Sequence, residues 1–536
     1  DGYTIKVKGE PGSSNDDYYL KYSEADKAWK EVTKPGILSD FEATTMPHIM
    51  VRNADGTFTV KTATWVSRNT GDDDSNPKPT FIGNTINDVF FFRNRLGFLA
   101  GENVILSKSG EFFQFWMSSA LDVLDSDVID RAISHNTISI LHHAIPFNED
   151  LLLFSDRTQF ILRVDGVLSP KNARIDQVTE FECNRNVSPV SAGKNIYFPA
   201  ERAEYSSIKE FYTVQDVASL KNAQDVTSHV PSYIPNGVYS LLSSTLENIL
   251  CILTTGAESK MFVYKYLFLN DQRVQASWSE WDFNQGKVLG GGFIGSTLWL
   301  LIKRGNSLFL EKMLFTYNTK DYDEEPYRVF MDRKKISATI PTANFNEITY
   351  KTSFDLAACM GVNPGTDTWT GETVSYGIVT PDGIFKSFQS LDIPTGIIQL
   401  DGDWSGKQLT VGEIFSFEIV MSDFMIKQQT DRGSSAQTDG RLQLRNGWFD
   451  YSDSGYFKVS VDSAMGKTYT YEMTSRILGD KLNVLGTLPM GSGKIRFPLQ
   501  AENNKCTITV TSQYPTPVSI IGCGWEGLYY RRSQKV

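Results

Sequence analysis

The chain has 536 residues, room for two to four domains with ample core, and its 40% hydrophobic and 21% charged composition is that of an ordinary water-soluble globular protein. No apolar run approaches the ~20 residues that cross a bilayer, which argues against any integral membrane segment. A formal net charge of −11, from 52 basic and 63 acidic residues with no Lys/Arg cluster, argues against tight, sequence-specific binding of nucleic acid.

Aromatic residues at 12% and 41 glycines lean toward a β-rich architecture. The cysteines, Cys183, Cys251, Cys359, Cys506 and Cys523, are odd in number, scattered and without CxxC pairing. They read as reduced thiols from a cytoplasmic synthesis route, against a disulfide scaffold or a zinc site. From the amino terminus, residues 3–8 and 18–22 alternate with period two around a loop at residues 11–17 and predict a hairpin, with a third short strand at residues 27–32. Residues 48–52 and 57–61 predict a second hairpin, in which Asp55-Gly56 is a strong turn signal. The acidic, proline-bearing loop at residues 70–79 marks the entry to a second domain.

Residues 87–116 read NDVFFFRNRLGFLAGENVILSKSGEFFQFW. Residues 89–92 are expected to form a strand too apolar to have a wet face, residues 95–99 its partner, and residues 103–107 a third strand. Gly101 and Gly110 stand where tight turns between antiparallel strands need positive φ. The aromatic run at residues 112–116 closes this meander as one sheet of a β-propeller. Apolar runs recur at residues 89–92, 151–154, 196–198, 248–253 and 298–302, each followed by a polar turn and a second strand, at a blade-sized spacing of about 40–60 residues. No WD dipeptide repeats with them, so the expected propeller is degenerate, and a sixth sheet comes from residues 49–65 or from chain before Asp1. Beyond residue 324 the pattern stays β-like. A hairpin is expected at residues 373–386 around Pro381-Asp382-Gly383, a core strand at residues 412–419, and alternating strands at residues 440–445 and 455–461. The fold class is therefore all-β, an irregular β-propeller of five or six blades with additional antiparallel β domains at both ends. Residues 1–80 form a hairpin region, residues 81–325 the propeller, and residues 326–536 a β-rich platform.

The string RNRLGFL within FFFRNRLGFLAGENVILS, followed by SGEFFQFW, resembles the central signature of the tail tubular protein B family, the nozzle subunits of short-tailed, podovirus-like bacteriophages. Further patches are similar to the same family: DVTSHVP at residues 225–231 with YIPNG at 233–237, WSEWDF at 278–283, and IIGCGWEG at 520–527 with Arg531 and Arg532. The resemblance implies a structural subunit of a hexameric ring, made in the host cytoplasm and located in the tail of the virion. It also implies contacts with a head-to-tail adaptor ring and a tail fibre, around a channel that double-stranded DNA crosses as a non-specific passenger. The chain opens on Asp1-Gly2-Tyr3 with neither methionine nor signal peptide, and reads as lacking its native amino-terminal part, in keeping with the greater length of that family's members. A wall that repels phosphates lets such a polymer slide without sticking, although solubility alone demands a similar charge. Residues 71–74 (Gly71, Asp72, Asp73, Asp74) and 321–325 (Asp321, Tyr322, Asp323, Glu324, Glu325) are candidates for lumen or interface.

No constellation in the sequence carries catalysis. Residues 290–295 (GGGFIG) satisfy GxGxxG by letter, but the strand-like residues after them replace the helix that a dinucleotide needs, so a glycine-rich turn between blades is expected. Residues 491–495 (GSGKI) lack the earlier glycine of a phosphate loop, and Ile495 stands where its hydroxyl belongs. The histidines are His48, His135, His142, His143 and His229. Adjacent His142 and His143 on a strand point to opposite faces, which leaves them buried, hydrogen-bonded or surface roles rather than shared chelation. Asp122, Asp125, Asp127 and Asp130 lack the alternating oxygens and central glycine of a calcium loop and are expected in a solvated loop or a helix cap. There is no GxSxG elbow. The competing function is a glycosidase acting on envelope polysaccharide, for which two carboxylates about 5–9 Å apart beside aromatic platforms suffice. No pair stands out, and Ser452-Asp453-Ser454-Gly455 only approaches an Asp box. A third class is a propeller scaffold that binds host receptors. No catalytic, cofactor-binding or metal residue is assigned, and no cofactor.

Overall fold

A computed structural model of the chain describes residues 2–9, 17–147, 149–163, 166–213, 221–269, 272–284, 286–315, 319–362, 374–390, 393–430, 433–437, 440–463, 466–475 and 489–531. Residues 11–16 of the first expected loop, Thr373 and Arg532 lie outside them. The described residues are all-β, in antiparallel sheets, and divide into two compact units, Asp1–Trp281 with Gly292–Gly295 and Asp282–Gly291 with Ser296–Val536.

In the first unit β1 (Thr4–Val7), β2 (Tyr18–Ser23) and β3 (Ala28–Val32) form the expected hairpin and its third strand. β4 (His48–Arg52) and β5 (Phe58–Thr62) pair as a second hairpin, closed by Gly56 at φ +85°. Four meanders of four strands follow, each strand pairing with the next. They are β6 (Ile86–Phe92), β7 (Arg95–Ala100), β8 (Asn103–Leu106) and β9 (Ile129–Ala132); β10 (Leu141–Phe147), β11 (Asp150–Ser155), β12 (Gln159–Arg163) and β13 (Arg174–Thr179); β14 (Val190–Ala192), β15 (Asn195–Arg202), β16 (Tyr205–Thr213) and β17 (Lys221–Asp225); and β18 (Val238–Ser244), β19 (Ile249–Thr254), β20 (Lys260–Leu269) and β21 (Gln272–Asp282).

Stacking of these sheets explains the apolar runs. On β11, Leu151 and Leu153 pack with Phe90, Leu99 and Val104 of the first meander, while the alternate Leu152 and Phe154 pack with Ile196 and Phe198 of the third. On β15, Tyr197 takes the opposite face and packs against Leu250, Ile252 and Phe262 of the fourth. Successive side chains leave a strand on opposite faces, so a sheet held between two sheets is apolar at every position. Each fully buried Leu or Ile there contributes roughly 1.5–3 kcal/mol.

Two expectations for the first meander are corrected. β6 does have a wet face, with Val89 48% and Phe91 55% exposed beside buried Phe90 and Phe92. As the edge strand of its sheet, β6 touches at Ile86 the cluster of Met46, Phe81, Phe98, Ile105 and Phe115 that covers the same face of β7 and β8, and its Val89 and Phe91 are left outside it. The apolar repeat is out of phase here, since the later runs fall on second strands such as β11, β15 and β19. The aromatic run does not close the meander either; β9 does, and Phe115 instead stacks on Phe98 with ring centroids 4.9 Å apart.

In the second unit β22 (Lys287–Ile294), β23 (Thr297–Arg304) and β24 (Ser307–Leu314) follow as a three-stranded sheet. Glycines 290–292 lie inside β22 and not in a turn, because pairing along the sheet supplies order that glycine side chains do not; the turn falls at Gly295, φ +59°. β25 (Asp332–Ile336), β26 (Phe345–Asn346), β27 (Lys351–Asp355), α1 (Leu356–Met360), β28 (Ser375–Val379), β29 (Phe385–Gln389), β30 (Ile397–Asp401) and β31 (Thr410–Glu413) come next. They make the sheets β25-β31-β28-β29 and β26-β27-β30 around Leu356, Tyr376, Leu400 and Val411. α1 starts where Asp355 accepts from the Ala358 amide and stops at left-handed Gly361.

The chain ends in β32 (Phe417–Val420), β33 (Lys427–Thr430), β34 (Gly433–Ala436), β35 (Gly440–Ser454), β36 (Phe457–Ser463), β37 (Thr468–Met473), β38 (Gly491–Glu502), β39 (Cys506–Ser512) and β40 (Ile520–Arg531). Sheets β32-β39-β36-β37 and β38-β35-β40 enclose one core that includes Phe449, Val459, Phe497 and Val510, and β33 and β34 pair separately. The single core strand expected at residues 412–419 is thus two strands in two sheets. The chain passes there from one core to another, since Val411, just before this stretch, packs in the first and Phe417, within it, against the second. Gly491-Ser492-Gly493-Lys494 is extended in β38, so no loop cradles a phosphate there.

Candidate functional site

The signature RNRLGFL turns from β6 into β7. Arg93 and Asn94 both take positive φ, +44° and +61°, as a two-residue turn matched to strand twist requires. Glycine or asparagine is the usual occupant of such a position. Arg93 holds it because its guanidinium donates to the carbonyls of Gly166 at 3.0 Å and Glu149 at 2.9 Å, in the loops of the second meander.

Arg95 is buried, 1% exposed, and donates to the carbonyls of Ser107, Asp125, Ser126, Asp127 and Leu168 at 2.7, 2.9, 3.2, 2.5 and 3.2 Å. Burial works against its charge and the Asp127 carboxylate favours it. Asp127 is itself fully buried and accepts from the Ser118 and Leu124 amides at 3.1 and 2.8 Å. The two arginines therefore fasten the segment before β9 and the second meander to the first sheet. Gly97 supplies the remaining space: a Cβ there would lie 2.3 Å from the Phe90 ring.

The acidic cluster expected to be solvated is therefore split. Asp127 is a buried acceptor, Asp130 takes the Thr80 amide and hydroxyl at 2.8 Å each, and Asp122 and Asp125 are exposed. Among the described residues no three His, Cys, Asp or Glu side chains are placed to hold a metal. His142 Nε2 lies 3.1 Å from Asp156, whereas His143 Nε2 meets the Arg185 carbonyl at 2.9 Å, so the adjacent pair has separate partners. All the cysteines are free, and burial pushes the Cys183 thiol up to about 12 and Cys251 further.

Two more buried ions were not legible in the sequence. Glu210, on β16, accepts from Tyr197 at 2.6 Å, Asn195 at 2.8 Å, Gln224 at 2.5 Å and Arg273 at 2.7 Å. Burial pushes the neighbouring phenols of Tyr264 and Tyr266 up to about 12. In the second unit Glu413, ending β31, pairs with Arg333 at 2.7 Å and Arg304 at 3.4 Å, and Arg304 also meets Glu311 at 2.9 Å. No local pattern marks these carboxylates, since their partners come from other strands. Arg95 did carry a signal, a cation inside an otherwise apolar run.

Each of the two acidic segments is anchored at one buried carboxylate, and residues 321–324 are exposed. Gly71 bridges to Thr33, and Asp72 is buried, its Oδ1 accepting from the Asp74 and Ser75 amides at 3.1 and 3.2 Å. Asp73 pairs with Arg68 at 3.0 Å and stays exposed with Asp74. In the second unit Lys334 lies 2.5 Å from Asp321 and 2.6 Å from buried Glu325. Each of these buried ions is met by charge or hydrogen-bond partners, an arrangement that holds strands together and leaves no carboxylate among them aimed at a substrate. No described helix is long and apolar enough to cross a membrane.

The model of the bacteriophage nozzle protein family matches residues 1–536. The chain is 40% identical, over 543 residues, to the tail tubular protein gp12 of Escherichia phage T7, an alignment covering 100% of this chain and 67% of that protein. Two solved structures align at far lower identity. Hsv2p of Kluyveromyces lactis aligns at a TM-score of 0.29 with 10% identity over 44% of this chain and 63% of that one, and PorZ of Porphyromonas gingivalis at 0.25 with 11% identity over 70% and 42%. Scores of that size assign no fold. The match over the whole length and the 40% identity do assign a family: the chain belongs to the bacteriophage nozzle proteins, structural components of the virion's tail.

Proposed function

We propose that this chain is one of six subunits of a closed ring whose central channel retains the phage genome and then conducts it during ejection into the host. In this reading the ring joins a head-to-tail adaptor ring, bears tail fibres, and passes duplex DNA without reading or altering it. The supporting observation is the run of meanders from β6 to β21, each packed on the next, in a chain that matches the nozzle family from end to end. Residues 81–325 then make up an irregular propeller of five or six blades, with residues 1–80 and 326–536 as flanking β domains. Sheets with both faces buried resist shear, and rotational symmetry turns one repeated interface into a tube. The net charge of −11 suits passage, since a wall that repels phosphates does not hold the polymer.

Electron microscopy of the purified chain, alone and with the adaptor protein, tests this. Rings with an open axis are expected; monomers that never join an adaptor ring would overturn the reading. The full engagement of Asp127, Glu210 and Glu413 favours a scaffold over the glycosidase. Release of reducing sugar from envelope polysaccharide, abolished by replacing one carboxylate pair, would reverse that preference.

A further inference from the structure

Among the described residues, the long sheet of the second unit has two edges without a paired strand. In the order β38-β35-β40, the outer strands are each antiparallel to β35 and so run parallel to one another, and each is 12 residues long. No described group bonds to the outer backbone of β40 over residues 520–528, and along β38 the described contacts are the Tyr471 hydroxyl 3.5 Å from the Pro498 carbonyl and, at its end, the Lys505 amide donating to the Glu502 carbonyl at 2.9 Å. At the start of β40 the core face also runs out uncovered, with Cys523, paired with fully buried Phe449, exposed next to exposed Ile521, whereas Trp525 and Tyr529 further along pack against the core. Long edges with apolar residues beside them are templates for another strand, and soluble proteins normally blunt or cover them.

We propose that β40 of one copy pairs along β38 of the next, so that this sheet continues from subunit to subunit as one closed barrel around the channel. The proposal rests on the ring reading above and names the surfaces that close it. A second copy is the occupant because the two edges complement each other. Rotation about an axis along the strands preserves strand direction, so β40 meets the neighbouring β38 in parallel at every junction, a head-to-tail contact that closes. Charge agrees at Arg496: β38 presents it exposed beside Lys494, which already meets Asp450 of its own sheet at 3.4 Å, and β40 presents exposed Glu526. Pro498 has no N–H to offer, which confines the junction to residues 491–497 of β38. Three strands from each of six copies give about 18 strands; at ~4.8 Å between strands and a tilt of ~40° the backbone radius is about 18 Å, in the class of barrels that enclose an aqueous channel.

The test uses two forms of the full chain, one retaining Cys523 and a size-tagged one carrying Cys523→Ser with Ser492→Cys, Lys494→Cys or Arg496→Cys, all exposed positions. The forms are mixed before assembly and treated with a short bismaleimide. A cross-link between the two forms in the ring fraction is expected from at least one of the three positions, and is expected to vanish when the first form also carries Cys523→Ser. Rings that assemble yet give no such cross-link overturn the proposal and leave the ring intact. Protection of Cys523 that appears only on adding tail fibre protein assigns the edge to the fibre and also overturns it. A chain that forms no rings refutes the ring reading and this proposal with it.

Discussion

Arg95 shows how one side chain fixes a local arrangement, because five carbonyls rely on its guanidinium. Arg95→Leu leaves them buried without a donor, and a loss of about 3 kcal/mol or more is expected in urea unfolding. Arg95→Lys is expected to recover only part of this, since an ammonium lacks the planar fork; equal midpoints for all three proteins would contradict the account. At the thiols of the unassembled chain, a disulfide reagent at pH 8 is expected to label exposed Cys523 at once and Cys183 and Cys251 only as the chain unfolds, because burial raises both of the latter. Asp332 gives a pH signature. Burial, then the nearby Glu413, pushes its carboxyl up to about 7. A folded value above the unfolded ~3.9 means that its favourable contribution is complete below about pH 4 and is lost as pH rises through about 7. Asp332→Asn is therefore expected to match the parent Tm near pH 4 and exceed it at pH 8; a lower Tm at pH 8 would refute the assignment.

At the scale of elements, the space between strands decides which letters are tolerated. Gly97→Ala on β7 puts a methyl group 2.3 Å from the Phe90 ring on β6 and is expected to destabilise by about 1–3 kcal/mol. Phe90→Leu in the same chain is expected to restore part of that loss; no rescue would mean that Gly97 serves the backbone rather than the ring. The hairpins and their turns were legible, because alternation and positive-φ glycines such as Gly56 are local properties. Strand position in a sheet was not. Residues 89–92 and 151–154 look alike in sequence, yet β6 is an edge strand with exposed Phe91 while β11 lies between two sheets. Residues 412–419 read as one strand, and only the two separate cores show why the chain changes sheet at that point.

For the whole molecule, a net charge of −11 gives a direct expectation. Fluorescence anisotropy with duplex DNA near physiological salt is expected to show no binding in the submicromolar range; tight binding with a steep salt dependence would contradict a passive channel. The sequence by itself determined the all-β class, the hairpins and the family, through periodicity, turn residues and the literal signature around Arg93 and Arg95. Tertiary structure alone decided which faces are dry, which carboxylates are buried as ions, and which carbonyls meet Arg95. The physical reason is distance along the chain: the Leu168 carbonyl that Arg95 reaches is 73 residues away, and no local pattern encodes a partner that far off.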